Sequence, residues 1–144
     1  MFVEGVNRSG GMVVWLFTGR TNSDEDFESY CSSISRLNAI ETEGLRFAVL
    51  VVDKGNPMPN ARRRKKIAEV SRDVAPNTVF IMVGGALARG VVTAINWIRR
   101  PTYTVRTAAT FTDAVLVAEG LAERGLPELR QLHVQVRGEV RDVA

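Results

Sequence analysis

Residues 47–52 read FAVLVV and residues 79–83 read VFIMV, and a helix-length amphipathic stretch follows each of these short apolar runs. Runs of this length are typical of buried strands, whereas apolar residues three and four positions apart predict a helix. Three such strand–helix units can be read: 47–52 with 60–74, 79–83 with 85–98, and 102–105 with 110–124. Because strands that alternate with helices form mostly parallel sheets, the chain is predicted to have an α/β fold.

Two shorter runs rich in β-forming residues, Phe2 to Val6 and Met12 to Thr18, precede these units. The polar, glycine-containing segment between them predicts a hairpin. The second run is apolar on both faces, which favours a central strand that is covered on both sides. Ser23, followed by three acidic residues, predicts the start of a first helix, which we expect to end near Gly44.

The later helices have apolar stripes that we expect to face the sheet. The predicted inward residues are Ile67, Val70 and Val74 in the second helix, Leu87, Val91, Ala94, Ile95 and Ile98 in the third, and Ala114, Val115, Ala118, Leu121 and Ala122 in the fourth. Apolar and polar residues then alternate over 132–137, which predicts either an edge strand or a strand that pairs with a second copy of the chain in a homodimer. From Gly138 onward we expect a frayed end, so residues 126–144 are an extension of a single domain over 1–144.

The composition is that of an ordinary globular domain. With 144 residues, of which 45% are hydrophobic and 24% charged, the chain is long enough for one core and too apolar for disorder. No run approaches the roughly 18 consecutive apolar residues of a membrane span, and residues 1–6 lack the features of a secretory signal. The single cysteine, Cys31, falls within a helical pattern. We therefore expect a cytoplasmic protein with a buried, inert thiol and no disulfide.

A hairpin followed by strand–helix connections, with a first helix that begins SDEDF at residues 23–27, resembles the STAS-like fold of anti-sigma-factor antagonists. The segment over 83–97, VGGALARGVVTAINW, is similar to one in small, uncharacterised bacterial STAS-like proteins. The resemblance covers residues 2–125. It implies a STAS-like domain that binds a protein partner in bacterial signalling or regulation.

One feature of that family is missing from the chain. Switch-type members carry a phosphorylatable serine or threonine at the start of the second helix, whereas residues 53–61 read DKGNPMPNA and contain no hydroxyl residue. A phosphate-regulated switch is therefore not expected at this position, and the resemblance implies constitutive binding or another signal.

Five consecutive basic residues over 62–66, here called the basic run, follow this segment. The chain has 19 basic and 16 acidic side chains, so without the basic run it would be net acidic. The run is either a solvated helix face, a docking site for an acidic protein surface or a phosphate-bearing ligand, or a contact with nucleic acid. Nucleic acid is disfavoured because no aromatic side chains accompany the charges. The candidate partner- or anion-binding residues are Met58, Asn60, Arg62, Arg63, Arg64, Lys65 and Lys66, with Asn60 as the helix cap and Met58 as an apolar contact.

A second class of function, a small-ligand-binding protein or an enzyme, would use the carboxyl ends of the strands. The candidate ligand residues are Asp53, Gly84, Gly85 and Arg89, with Arg89 expected to pair with Asp53 or with an anion. The glycine pair matches neither the dinucleotide fingerprint nor the Walker loop, so a tight turn is favoured over a phosphate site. A concave pocket with convergent polar groups would distinguish a ligand binder from an interaction module, which needs an exposed apolar and basic patch.

Sequence signatures of catalysis and of metal binding are missing. His133 is the single histidine, it has no neighbours at metal-ligand spacing, and no Gly-x-Ser-x-Gly elbow is present. We predict no catalytic residue, no metal and no cofactor. Trp15 and Trp97 lie within apolar patterns that predict core positions, and the place of Trp97 near the end of its helix also allows exposure at an interface.

Overall fold

The computed structural model describes residues 1–98 and 100–143, with Ile98 and Val143 described by their backbone alone. The strands in these ranges are β1 Phe2–Asn7, β2 Met12–Phe17, β3 Arg46–Val52, β4 Thr78–Val83 and β5 Thr104–Ala108. The α-helices are α1 Asp24–Ser35, α2 Ala61–Val70, α3 Ala86–Ile98, α4 Phe111–Ala122 and α5 Pro127–Val143. None of these helices, within the described residues, combines the length and the apolarity that a membrane crossing requires.

The five strands form one sheet in the order β1-β2-β3-β4-β5. β1 is antiparallel to β2, and the remaining neighbours are parallel. The predicted α/β fold and N-terminal hairpin are therefore confirmed. Every residue of β2 is buried, which agrees with the central position that its two apolar faces predicted.

Each face of the sheet has its own hydrophobic core, because successive residues of a strand point to opposite faces. On one face, Trp15, Leu50 and Met82 pack with side chains of α1, α2 and α3. On the other face, Val49 and Ile81 pack with side chains of α4 and α5. The three helices that connect the parallel strands thus form one layer, and α4 and α5 form the other.

The C-terminal segment is a helix, so the predictions of an edge strand over 132–137 and of fraying from Gly138 are wrong. Leu129, Leu132 and Val136 are three and four positions apart, and all three are buried in the core that α5 shares with the sheet. A short alternation of apolar and polar residues is compatible with either structure, and here the burial of these three side chains favours the helix. Residues 127–143 consequently offer no strand for pairing with a second copy.

α5 approaches the hairpin closely at Gly5 of β1. A Cβ at this glycine would lie 3.0 Å from Val136 Cγ1 and 3.3 Å from Leu132 Cδ2. The absence of a side chain at Gly5 therefore makes room for the helix to cover β1 and β2.

α3 differs from its prediction in the side that it buries. Leu87 is 82% exposed and Trp97 is 84% exposed, so their predicted core positions are wrong. Val91 and Ile95 are half-buried, and Ala88 alone is fully buried among the described side chains of this helix. α3 has apolar residues on all sides, so its pattern does not determine which side faces the sheet. The predicted inward position of the Ile98 side chain falls outside the described residues.

Smaller differences concern the ends of elements. α1 ends at Ser35 and is followed by a 3-10 turn over Leu37–Ala39, whereas the first helix was expected to end near Gly44. β5 begins and ends later than the predicted 102–105. In α4, Leu121 was predicted to face inward but is 38% exposed.

Candidate functional site

Asp53, the residue after β3, forms a cluster with Arg137 of α5 and with Thr18. Arg137 Nη1 and Nη2 donate to the two carboxylate oxygens at 2.6 and 2.8 Å, and Thr18 Oγ1 donates to Oδ2 at 2.8 Å. The hydrogen bonds from Arg137 lower the pKa of Asp53, and this effect exceeds the opposing effect of burial. In the structure, Asp53 therefore pairs with Arg137 and not with Arg89 as expected.

His133 extends this cluster along α5. Arg137 Nε donates to His133 Nε2 at 3.3 Å, and the imidazole stacks on Phe111 with 3.9 Å between ring centroids. Burial, assisted by the charge of Arg137, lowers the pKa of His133, so the ring is neutral at neutral pH and Nε2 can accept a hydrogen bond. Because its guanidinium is engaged by both Asp53 and His133, Arg137 attaches α5 to the sheet.

Gly84 and Gly85 occupy different environments at the end of β4. Gly84 is buried, and a Cβ there would lie 3.0 Å from Ala88 Cβ and 3.2 Å from Met82 Sδ, so close packing accounts for this glycine. Gly85 is exposed, with open space where its side chain would be. Arg89 Nε is buried without a hydrogen-bond partner in the part of the chain that the structure describes.

The basic run forms the first half of α2, and its side chains divide between two environments. Asn60 caps the helix, as predicted, by accepting a hydrogen bond from the Arg63 amide at 2.8 Å. The exposed members of the run are Arg62, Lys65 and Lys66, and the half-buried members are Arg63 and Arg64. Only part of the run is therefore a solvated helix face.

Met58 lies in the loop before α2 and is half-buried. It packs against the core beneath α1, α2 and α3. Met58 also lines a cavity in that layer, so its side chain is directed inward.

The cavity has a volume of about 100 Å³ and lies between the sheet and the layer of α1, α2 and α3. For comparison, an engineered apolar cavity of about 150 Å³ in another protein binds benzene. The wall extends from Thr78 at the start of β4 to Val52 at the end of β3, so the space runs along the strands. The cavity exists because α3 does not fill its part of the helix layer. Among the described side chains of α3, that of Ala88 alone is fully buried.

The wall of the cavity is mostly apolar and includes a large share of the aromatic side chains of the chain. Six of the ten aromatic residues of the chain line it: Trp15, Phe17, Phe27, Tyr30, Phe80 and Tyr103. Trp15 and Tyr30 meet edge to face, with 5.2 Å between ring centroids. The Trp15 indole N–H is already engaged, because it donates to Ser33 Oγ at 2.7 Å. The wall thus offers aliphatic and aromatic surface more than hydrogen-bonding groups.

The end of the cavity nearest to the carboxyl ends of the strands is polar. Asn56 is 6% exposed, and its side-chain amide exchanges two hydrogen bonds of 2.9 Å with that of Asn22. Asn56 Nδ2 also donates to the Thr18 and Gly19 carbonyls at 3.3 and 3.1 Å. This pair fixes the loop before α2 against the end of β2. Sequence reasoning missed both asparagines, because asparagine in a loop is most often a turn residue.

Arg63 is the one charged side chain among the described residues that line the cavity. Its guanidinium carbon lies 5.3 Å from the centroid of the Phe27 ring, and Nη2 donates to Asp24 Oδ1 at 2.8 Å. Burial raises the pKa of Tyr30 and of Tyr103, so both phenols are neutral. The wall of the cavity is therefore mostly apolar, and its one positively charged group, Arg63, lies near the polar end.

Arg46, at the start of β3, is a second cation near the cavity, at the opposite end. It is 4% exposed, Nε and Nη2 donate to the Ile40 carbonyl at 3.0 and 2.6 Å, and Nη1 donates to Thr78 Oγ1 at 3.0 Å. Burial lowers its pKa. Thr78 separates Arg46 from the cavity, so this arginine holds the segment after the 3-10 turn against β4.

Comparison of the chain with protein-family models, with curated proteins and with solved structures found no match. The resemblance to STAS-like domains therefore stays a prediction, whereas the α/β architecture is shown by the sheet itself. Within residues 1–98 and 100–143, no three His, Cys, Asp or Glu side chains are placed to hold a metal ion.

Proposed function

We propose that the chain binds a small organic molecule, through an apolar part of that molecule, in the cavity between the sheet and α1, α2 and α3. The observation that carries this proposal is the cavity of about 100 Å³ with its largely apolar wall, to which six aromatic side chains contribute. Protein interiors are close-packed, and voids much larger than a water molecule are few. A ligand that filled this space would gain the dispersion contacts that the wall lacks without it.

Binding is favoured over catalysis because two of the polar side chains in the wall, Trp15 and Asn56, are already engaged with neighbouring protein groups. The Trp15 N–H donates to Ser33, and the amide of Asn56 is paired with that of Asn22. The cluster of Asp53 and Arg137 belongs to the side of the sheet that α5 covers. The proposal keeps the ligand-binding class predicted from the strand ends and moves the site from Gly84 and Arg89 to the cavity between the sheet and α1, α2 and α3.

The test uses Trp15 as a reporter. Trp97 is 84% exposed, so Trp97→Phe leaves Trp15, in the cavity wall, as the one tryptophan of the chain. Titration of this variant with nitrobenzene, an aromatic quencher, is expected to give saturable quenching of the Trp15 fluorescence and a raised unfolding temperature.

Two further substitutions in this background locate the binding site. Val92→Phe fills the cavity, because Val92 lines it, and should abolish saturable quenching. Val134→Phe is the matched control, since Val134 of α5 is 72% exposed on the other side of the sheet. Quenching that does not saturate, or that Val92→Phe and Val134→Phe change equally, would overturn the proposal.

A second candidate function, docking of an acidic protein partner, is favoured by exposed basic and apolar side chains on two helices that contact each other, α2 and α3. Arg62, Lys65 and Lys66 are exposed on α2, and Leu87 and Trp97 are exposed on the neighbouring α3. Together they offer the combination of positive charge and apolar area that a docking surface needs.

The test of the docking surface is affinity capture from an extract of the source cells. The wild type is compared with a variant in which the three exposed cations of α2 are replaced by serine. A control variant replaces three exposed arginines elsewhere, Arg8, Arg20 and Arg141, by serine. An acidic protein captured by the wild type and the control but lost by the α2 variant supports docking, and equal capture by all three excludes it.

A further inference from the structure

We infer that the ligand of the cavity is a small aromatic carboxylate, with its ring among the aromatic side chains and its carboxylate on Arg63. This inference rests on the proposed function and names the class of molecule that the same site takes.

The charge of the wall favours an anion. Arg63 lines the cavity, and no Asp or Glu does so among the described residues. A cationic ligand would meet this positive charge in an apolar space with nothing in the wall to balance it. A carboxylate would instead match the planar fork of N–H donors that a guanidinium presents.

Arg63 retains the capacity to bind such a group. Within the described residues, Nη2 is the one Arg63 side-chain nitrogen that donates a hydrogen bond, and its partner Asp24 is 94% exposed. Ion pairs with so exposed a partner contribute little to stability, so a ligand carboxylate could share or replace Asp24 at small cost. The Arg63 side chain is itself only 25% exposed, so its attraction to a bound anion is less screened than it would be at the surface.

The position of Arg63 is fixed from two directions. Its backbone amide donates to the Asn60 cap in the first turn of α2, and its guanidinium lies against the Phe27 ring of α1. Arg46, the other cation near the cavity, does not fill this role, because all three of its nitrogens already donate to Ile40 and Thr78. The carboxylate is therefore assigned to the end of the cavity where α1 and α2 begin.

The wall also defines the apolar part of the ligand. Tyr30 presents its ring at 87° to that of Trp15 and at 82° to that of Phe17. These rings already pack edge to face with one another, and a ligand ring that packs against this aromatic cluster gains ring contacts that an alkyl chain does not. The volume of about 100 Å³ limits the enclosed part of the ligand to about one ring and excludes a long acyl chain, so the carboxylate lies at the partly exposed Arg63.

The experiment is calorimetric titration with phenylacetate and with phenylacetamide, its neutral analogue of nearly the same shape. For the wild type we expect phenylacetate to bind at least about tenfold more tightly, which is the typical effect of one hydrogen bond to a charged group. In Arg63→Gln the two affinities should become equal, while the affinity for phenylacetamide stays unchanged and shows that the cavity is intact. Arg62→Gln is the matched control, because it removes the same charge from the neighbouring, exposed residue, and should retain the preference.

The outcomes separate this inference from the proposed function. Equal binding of acid and amide by the wild type overturns the inference and leaves the binding function in place. Equal loss of the preference in Arg62→Gln and Arg63→Gln also overturns it, because the attraction would then come from the basic run as a whole. If neither compound binds and nitrobenzene also fails, the proposed function falls with the inference. If neither binds but nitrobenzene does, the inference alone falls.

Discussion

Replacing Arg137 by methionine should remove the main polar attachment of α5 while keeping much of its apolar stem. In the wild type the guanidinium donates two hydrogen bonds to Asp53 and one to His133. The substitution leaves the Asp53 carboxylate with Thr18 and with solvent, which reaches it because its side chain is 26% exposed. The protein should still fold, since Leu129 of α5 stays buried against the sheet.

The size of the effect lies between two limits. A hydrogen bond to a charged group contributes about 1.5–3 kcal/mol when buried, whereas an exposed ion pair contributes about 0–1 kcal/mol. The Arg137 and Asp53 side chains are 35% and 26% exposed, so solvent screens the pair in part. We expect Arg137→Met to lower the free energy of unfolding by about 2 kcal/mol. A double-mutant cycle with Asp53→Asn should give a coupling energy of about 1–2 kcal/mol.

Urea unfolding at neutral pH, followed by circular dichroism, measures these free energies. Arg141→Met is the matched control, because Arg141 is an exposed arginine of the same helix. A coupling energy below about 0.5 kcal/mol would refute the reasoning, because such a value is that of a surface ion pair. An equal loss of stability in Arg141→Met would refute it as well, since the loss would then reflect net charge alone.

Three further predictions concern other groups of the molecule. Folding lowers the pKa of His133 and of Asp53, so the unfolded chain takes up protons first as the pH falls. Urea unfolding over a pH series should therefore show stability declining as the pH falls below the ordinary pKa values, 6.5 for His133 and 3.8 for Asp53. His133→Gln should remove the loss of stability that begins below pH 6.5 and leave the loss below pH 3.8. If the loss below pH 6.5 persists in this variant, His133 is not its cause. Burial raises the pKa of Cys31 to about 11, so iodoacetamide should label this thiol, by mass spectrometry, far faster in urea than in the folded protein. Ser23→Ala removes the capping box of α1 and should lower the free energy of unfolding by about 1 kcal/mol, measured in urea, whereas Ser32→Ala on the exposed face should have a smaller effect.

The fold could be predicted where a local sequence pattern is compatible with only one arrangement of the chain. β3 is apolar at nearly every position because helices cover the sheet on both sides, and its sequence indicates this directly. The prediction failed where the pattern is compatible with two secondary structures or with two orientations of a helix. Residues 132–137 satisfy both a strand period and a helix period, and the choice depends on room at Gly5, far away in the chain. In α3 the apolar residues surround the helix, so sequence could not show that Leu87 faces solvent.

The candidate site was predictable only in its local parts. The caps Ser23 and Asn60 interact with residues three positions away, which is within reach of a sequence motif. The cavity is a space between elements that are distant in the chain, so no single segment carries a signal for it. The particular role of Arg63 within the basic run depends on its contact with Phe27 of α1, and five adjacent charges look alike until the two helices are placed together.

The cover that α5 provides for β1 and β2 also bears on how the chain is made. The hairpin is synthesised before the other strands, whereas α5, which buries Val14 and Leu16, is translated after all five strands. At a synthesis rate of about 5–20 residues per second, the time between synthesis of the hairpin and synthesis of α5 is on the order of ten seconds. During that time one face of the hairpin is open to chaperones and to neighbouring nascent chains. Completion of this fold is therefore expected to wait until α5 has emerged from the ribosome, and the hairpin is not expected to acquire its final packing before then.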